Sequence, residues 1–173
     1  QYLKPADASN LQDFFSVIRR NDRLRLESMF GDTQPNANVS NQFSSYQSNS
    51  SMLLASSPKL AVVSPTKSKA KRRAIIISWL LTNDPVTGMC AIHVASAHMK
   101  PDLYEIYTTL VETFLAAGGS ITIRDGESQW TPLHHAMYHA NLVNARYLVS
   151  KGASLKVLDV AKQTPLDLLP KIE

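Results

Sequence analysis

Five histidines, a single cysteine and a run of five cations are the residues of this 173-residue chain whose types and spacing could do chemistry. His135 and His139 stand four apart, so on a helix they share a face, and two such imidazoles can ligate zinc. A hydrolytic zinc helix needs glutamate directly after the first histidine, and Ala136 stands there. The sequence supplies no third ligand at a matching spacing, so no metal and no cofactor is expected. Cys90 is the only thiol, a nucleophile in principle. The sequence has no G-x-S-x-G elbow, no Gly-rich phosphate loop after a strand and no carboxylate pair placed by a motif. Asp125-Gly126-Glu127 has the composition of a turn. The expectation is a protein that is not an enzyme and has no catalytic residues.

The cationic run is Lys67, Lys69, Lys71, Arg72 and Arg73, five positive charges in seven residues. The formal net charge of the whole chain is +4, so these five account for all of it. The basic balance is a local cluster and not an extended nucleic-acid-binding face. Lys/Arg-rich runs of this length act as nuclear localisation signals, which would make an import receptor a partner. Ser64-Pro65-Thr66-Lys67 directly before it has the Ser-Pro-x-Lys pattern read by proline-directed kinases, and Ser57-Pro58-Lys59 is a poorer version. A phosphate adds about −1.5 to −2 charges, and at Ser64 it would partly neutralise the cluster. A solvated basic tether is the plainer alternative.

A change of composition separates residues 32–73 from what flanks them. Gln42 to Ser57 is rich in Ser, Asn and Gln, with too little apolar surface to offset the entropy of ordering. The segment is read as a polar insert without fixed structure. Met52-Leu53-Leu54 and Leu60 to Val63 are short apolar islands within it. Flanking it are residues 1–31, where Leu11 to Ile18 forms a helical apolar stripe, and residues 74–173. No run reaches the ~18 apolar residues of a membrane helix. A lone cysteine excludes an internal disulfide framework and suits a reducing compartment, so the protein is expected inside the cell, in nucleus or cytoplasm.

The strongest organising signal is a repeat. Thr131-Pro132-Leu133-His134 recurs 33 residues later as Thr164-Pro165-Leu166-Asp167. Thr131 can N-cap a helix, and Pro132 suits its first position, where a missing N–H costs nothing. Val143, Leu148 and Val149 keep helical spacing on a second helix, which Gly152 would end. A 33-residue period carrying T-P-L-H-x-A resembles the ankyrin repeat. Gly88 to Ala95 lines up as a weaker copy, with Cys90 at the threonine position and Ala91 in place of proline. From His93 to Gly118 this copy carries about seven extra residues, expected between its two helices around Pro101. A further copy starts at Thr164 and is expected to stop after one helix, ended by Pro170. Ala74 to Leu81 fits the second helix of a degenerate copy. Periodicity alone leaves a buried strand open there, and the repeat context favours helix.

The resemblance implies an all-α ankyrin-repeat solenoid of about three to four repeats, some degenerate, in which residues 1–31 form a capping pair of helices. It implies structural roles for His93 and His134 and a packed position for Cys90. It also implies a non-catalytic module that holds another protein on its concave face. The positions that fall there or on the finger loops are Met89, His98, Gln129, Trp130, Tyr138 and His139. Trp130 also occupies a place where the family packs an aromatic along the finger. The Ser/Asn/Gln-rich insert with its Ser-Pro site and basic run resembles, in style, fungal cell-cycle transcription cofactors of the ankyrin class. An accessory region that positions or inhibits a catalytic domain is the alternative.

Overall fold

The structure, a computed structural model, describes residues 8–30 and 67–170. Residues 31–66, which hold most of the polar insert with Ser57 and Ser64, lie outside the described residues. The regular elements are α1 (Ala8–Arg20), α2 (Arg23–Phe30), α3 (Lys67–Leu81), α4 (Ala91–His98), a 3₁₀ turn (Pro101–Leu103), α5 (Tyr104–Ala116), α6 (Pro132–Tyr138) and α7 (Leu142–Ser150). Outside them, the described residues hold one isolated antiparallel bridge, Asn83 to Cys90. The fold is all-α.

The helices form two layers. Helices α1, α4 and α6 stack in one, while α2, α5 and α7 form the other, with α2 against α5 and α5 against α7. Each hairpin therefore buries its apolar face on its neighbours, the arrangement of a solenoid. Phe14, Phe15 and Ile18 of α1, Ile92 and Ala95 of α4, and Leu133 and Ala136 of α6 line the buried seam. Leu26, Leu110 and Leu148 close it from the second layer. The stripe at Leu11 to Ile18 is thus a true first helix, and its last turn carries Arg19 and Arg20, favourable at the negative end of the helix dipole.

Helix α3 departs from expectation twice. It starts at Lys67, so residues 67–73, assigned by composition to the insert, are helical. It also does not serve as the second helix of a degenerate copy, because α2 already occupies the place beside α5. Instead α3 packs on α4 and α5 through the buried side chains of Ile76, Trp79 and Leu80. The Trp79 ring meets Phe14 of α1 at 5.5 Å.

The seven extra residues of the second hairpin are also redistributed. Two lie between the helices, one lengthens α4 relative to α6, and four lengthen α5, which has 13 residues against 9 in α7. The copy at Thr164 forms its cap but no helix. Thr164 donates its amide and hydroxyl to Asp167 Oδ2 at 2.7 and 2.6 Å, after which residues 165–168 stay in a turn. Pro170 has no N–H to give to the carbonyl of Leu166, and Leu166 is exposed, so neither hydrogen bonding nor burial extends the turn.

The corners repeat the same backbone. Asn21 and Ala140, between the helices of the first and third hairpins, both have positive φ (54° and 53°). Gly88, Gln129 and Lys162, each two residues before a cap, have φ of 68°, 57° and 60°. A side chain with a Cβ pays for the left-handed conformation, and glycine does not. Ala140 and Lys162 are exposed and no side-chain bond holds either in place. Ala140→Gly and Lys162→Gly are each expected to raise stability by roughly 0.5–1 kcal/mol in urea unfolding. An unchanged or lower midpoint in both would contradict the left-handed assignment.

Candidate functional site

The motif histidines are structural. The Cys90 amide donates to His93 Nδ1 at 3.3 Å, which places the ring proton on Nε2, and Nε2 donates to the Ile123 carbonyl at 3.1 Å. The same cap recurs at Thr131, whose amide donates to His134 Nδ1 at 3.1 Å. His134 Nε2 is buried without a hydrogen-bond partner. Cys90 is buried with its Sγ 3.1 Å from His93 Nδ1, and burial pushes its thiol up to about 11. A thiol held protonated at neutral pH is a poor nucleophile. It stands where threonine caps the other copy. Among the described residues, no group of three or more His, Cys, Asp or Glu side chains could hold a metal ion. His135 and His139 do not act as a pair: His135 is buried on Asp125, while His139 is exposed.

Each finger is built on a buried aspartate. Asp84 accepts from the Val86 amide at 3.1 Å and the Thr87 hydroxyl at 2.9 Å, and pairs with Arg19 of α1. Burial alone would raise its pKa, but these donors together hold it below the ordinary value. Asp125 Oδ1 accepts the amides of Ser128 and Trp130, and Oδ2 accepts His135 Nε2 at 2.9 Å. Asp159 accepts the Gln163 amide at 2.8 Å and, across the gap between fingers, the Trp130 indole N–H at 2.8 Å. One backbone bond closes each finger, Asp84 to Met89, Asp125 to Trp130 and Asp159 to Gln163. The fingers are tight turns rather than stranded hairpins. The Val160 amide reaches the Ser128 carbonyl at 3.2 Å, tying the second finger to the third.

On this frame a chain of rings crosses two repeats. Trp130 meets Tyr138 at 5.1 Å, Tyr138 meets His139 at 5.1 Å, and His139 meets His98 of the neighbouring hairpin at 5.0 Å. Tyr138 is 51% exposed, His139 is exposed, and Trp130 and His98 are half-buried. Trp130 also stacks on His134 and meets His135 edge-on, so one side of it is structural and the other faces out. Burial, then the nearby charges of His139 and Arg19, lower the pKa of His98.

Four of the six sequence candidates, His98, Trp130, Tyr138 and His139, are thus contiguous. The other two do not join them. Met89 packs partly buried against the core. Gln129 turns its Nε2 back onto the Asp125 carbonyl at 3.0 Å, and its left-handed backbone sets the finger corner. Of the basic run, Lys71, Arg72 and Arg73 are exposed on α3. Arg19 and Asp84 were missed from sequence. Asp84 stands six residues before Cys90 as Asp125 stands six before Thr131, a spacing that marks it, whereas no local pattern marks Arg19.

Residues 128–160 match the family model of the ankyrin repeat, one period running from the second finger to the third. The chain is similar to the Inhibitor of Bruton tyrosine kinase of Xenopus laevis, 30% identical over 84 residues. That match covers 49% of this chain and 6% of that protein, so the chain spans a small part of its relative's length. With the two-layered helical hairpins and the repeated caps, these matches make the chain an ankyrin-repeat protein. Among the described residues, no helix is long and apolar enough to cross a membrane.

The buried imidazoles give this frame a pH dependence. Burial, helped by the charge of His93, pushes His135 down to about 4 against the ordinary 6.5, and burial also lowers His93 and His134. The unfolded chain therefore binds protons that the folded chain refuses. Stability is full above pH 6.5 and falls as the pH drops toward 4, by about 3 kcal/mol from His135. Lowered carboxylates such as Asp84 act only below about pH 4, so the window from 6.5 to 5 isolates the histidines. Urea unfolding at pH 7.5 and 5.0 should show the loss, reduced in His135→Asn. A flat profile across that window would mean these rings are not held neutral.

Proposed function

We propose that this protein is a non-catalytic protein-interaction module whose partner chain lies across the ring chain His98–His139–Tyr138–Trp130. The observation that carries the reading is the continuity of those rings over two repeats, exposed at Tyr138 and His139 and braced from beneath by buried histidines and the finger aspartates. Aromatic side chains anchored on a rigid base bring large contact area at small entropic cost, which is why they dominate protein interfaces. The scaffold holds them without a partner, so binding needs little reordering. Gln129, which sets the finger corner beside Trp130, belongs to the support of this face, whereas Met89 packs on the core.

Such a module serves a larger regulatory protein, in scaffolding or in transcriptional and cell-cycle control. The basic run Lys67, Lys69, Lys71, Arg72 and Arg73 is proposed as a nuclear localisation segment read by an import receptor, with Ser64 and Ser57 as acceptors for a proline-directed kinase. A second reading, a region that positions or inhibits a catalytic domain, is favoured by the name of the relative, which describes a kinase inhibitor.

Tyr138→Ala combined with His139→Ala tests the main reading. Both side chains are exposed, so the variant should melt like the parent. In pull-downs from nuclear and cytoplasmic extracts, a prominent partner of the intact chain should bind at least ten-fold more weakly, the effect of losing ~1.4 kcal/mol or more at a hot spot. An unchanged set of partners would move the interface off this face.

A further inference from the structure

Several cations on this surface are ion-paired. Arg23 pairs with Glu27 at 2.7 Å, and Arg25 pairs with Asp13 at 3.1 Å and Asp22 at 3.5 Å. Arg19 pairs with Asp84, and Lys151 with Glu112. Helix α3 offers its cations no such partner within the helix. Its 15 residues, KSKAKRRAIIISWLL, include no Asp or Glu. Among the described residues, Lys71, Arg72 and Arg73 form no ion pair. Arg72 makes its bonds to α2, from Nη2 to the Ser28 carbonyl at 3.3 Å and to the Ser28 hydroxyl at 3.5 Å.

The helix changes character along its length. Ala70, Lys71, Arg72, Arg73 and Ala74 are all exposed, whereas Ile76, Trp79 and Leu80 are buried. The cationic half therefore stands off the body, tied at one point by Arg72. Lys71, Arg72 and Arg73 are three consecutive exposed cations on a helix without a carboxylate, and their mutual repulsion is a cost that an anionic partner relieves.

We infer that the cationic first half of α3 is a docking helix for an acidic segment of another protein, recognised in helical form. Charge complementarity selects the partner. The remainder of the chain is close to neutral, since the five cations of the run exceed the net charge of +4, so nothing extends the site into a track for nucleic acid. The exposed residues beside Lys71, Arg72 and Arg73 are the alanines Ala70 and Ala74, which give no apolar face to enter a bilayer. Two helical turns span ~10 Å, the reach of a short acidic peptide. The surface is separate from the ring chain. It shares its residues with the proposed import segment, and the inference concerns the form in which that run is read.

The test uses the full chain and a labelled twelve-residue Glu/Asp-rich peptide, followed by fluorescence anisotropy at matched salt. Lys71→Gln, Arg72→Gln and Arg73→Gln together should weaken binding at least ten-fold. Ala70→Gly with Ala74→Gly keeps every charge but destabilises the exposed helix end, and should weaken binding at least three-fold. Backbone chemical shifts confirm that residues 70–74 have lost their helix in that variant. Wild-type binding by the glycine variant would mean the run is read as extended charge and would overturn the inference, as would wild-type binding by the glutamine variant. Tighter binding of a short DNA duplex or of phosphatidylserine vesicles than of the acidic peptide would overturn the choice of partner. Nuclear import of a fluorescent fusion, measured on the same variants, judges the import reading separately. Import lost in the glutamine variant, with peptide binding unchanged in the glycine variant, would keep the import reading and sink this one.

Discussion

The structure depends on a buried carboxylate at the base of each finger. A buried charge without partners is costly enough that the surrounding chain must organise around it. Asp84, Asp125 and Asp159 each take amides from their own turn, and each takes one further donor from elsewhere: Arg19 of α1, the His135 ring, and the Trp130 indole. The first kind of bond shapes the finger. The second fixes its position against a helix or a neighbouring finger. Repeating this at each period lets a stack of short hairpins, none able to bury its own apolar face, hold one register.

The ring chain is a consequence of that register. Capping draws His93 and His134 into the interior, and His135 follows onto Asp125, so the starts of α4 and α6 are sealed. Their ends are not. Asn21 gives its side-chain amide to the His98 carbonyl and accepts the Lys100 amide, while Asn141 and Asn144 give theirs to the Met99 carbonyl. The last carbonyls of α4 are satisfied from both neighbouring hairpins, which fixes where the helix stops. With α4 and α6 stacked and ended at matching heights, His98 must lie beside His139, and Trp130, held by Asp159, completes the line.

What could be read from the chain alone follows from which forces are local. The caps at Thr131 and Thr164, the glycine stop at Gly152 and the stripe of α1 are set by residues within one turn of each other, and the repeat period carries them into a fold. Helix α3 was harder, because AIIISWLL reports only that it is buried, and the identity of its cover, Phe14, lies 65 residues away in sequence. Its start at Lys67 was hidden for another reason. Composition weighs the cost of ordering a polar segment by itself, whereas the cationic turns of α3 inherit helical geometry from the apolar turns that follow. The candidate face was legible at Tyr138, His139, His98 and Trp130 through their motif positions. Arg19 was not, since its meeting with Asp84 is purely tertiary.

Helix α1 joins these separate features. Its Phe14 holds Trp79 and so seats α3. Its Arg19 completes Asp84 and so seats the first finger, and Asn21, at its end, holds the end of α4. The ring chain and the cationic helix lie on different elements, yet both are positioned through these contacts. In a stack coupled only between neighbours, a disturbance spreads as far as the interfaces it weakens. Loosening α1 would therefore unsettle both surfaces together, while loosening the third finger would disturb the ring chain at Trp130 and leave α3 in place.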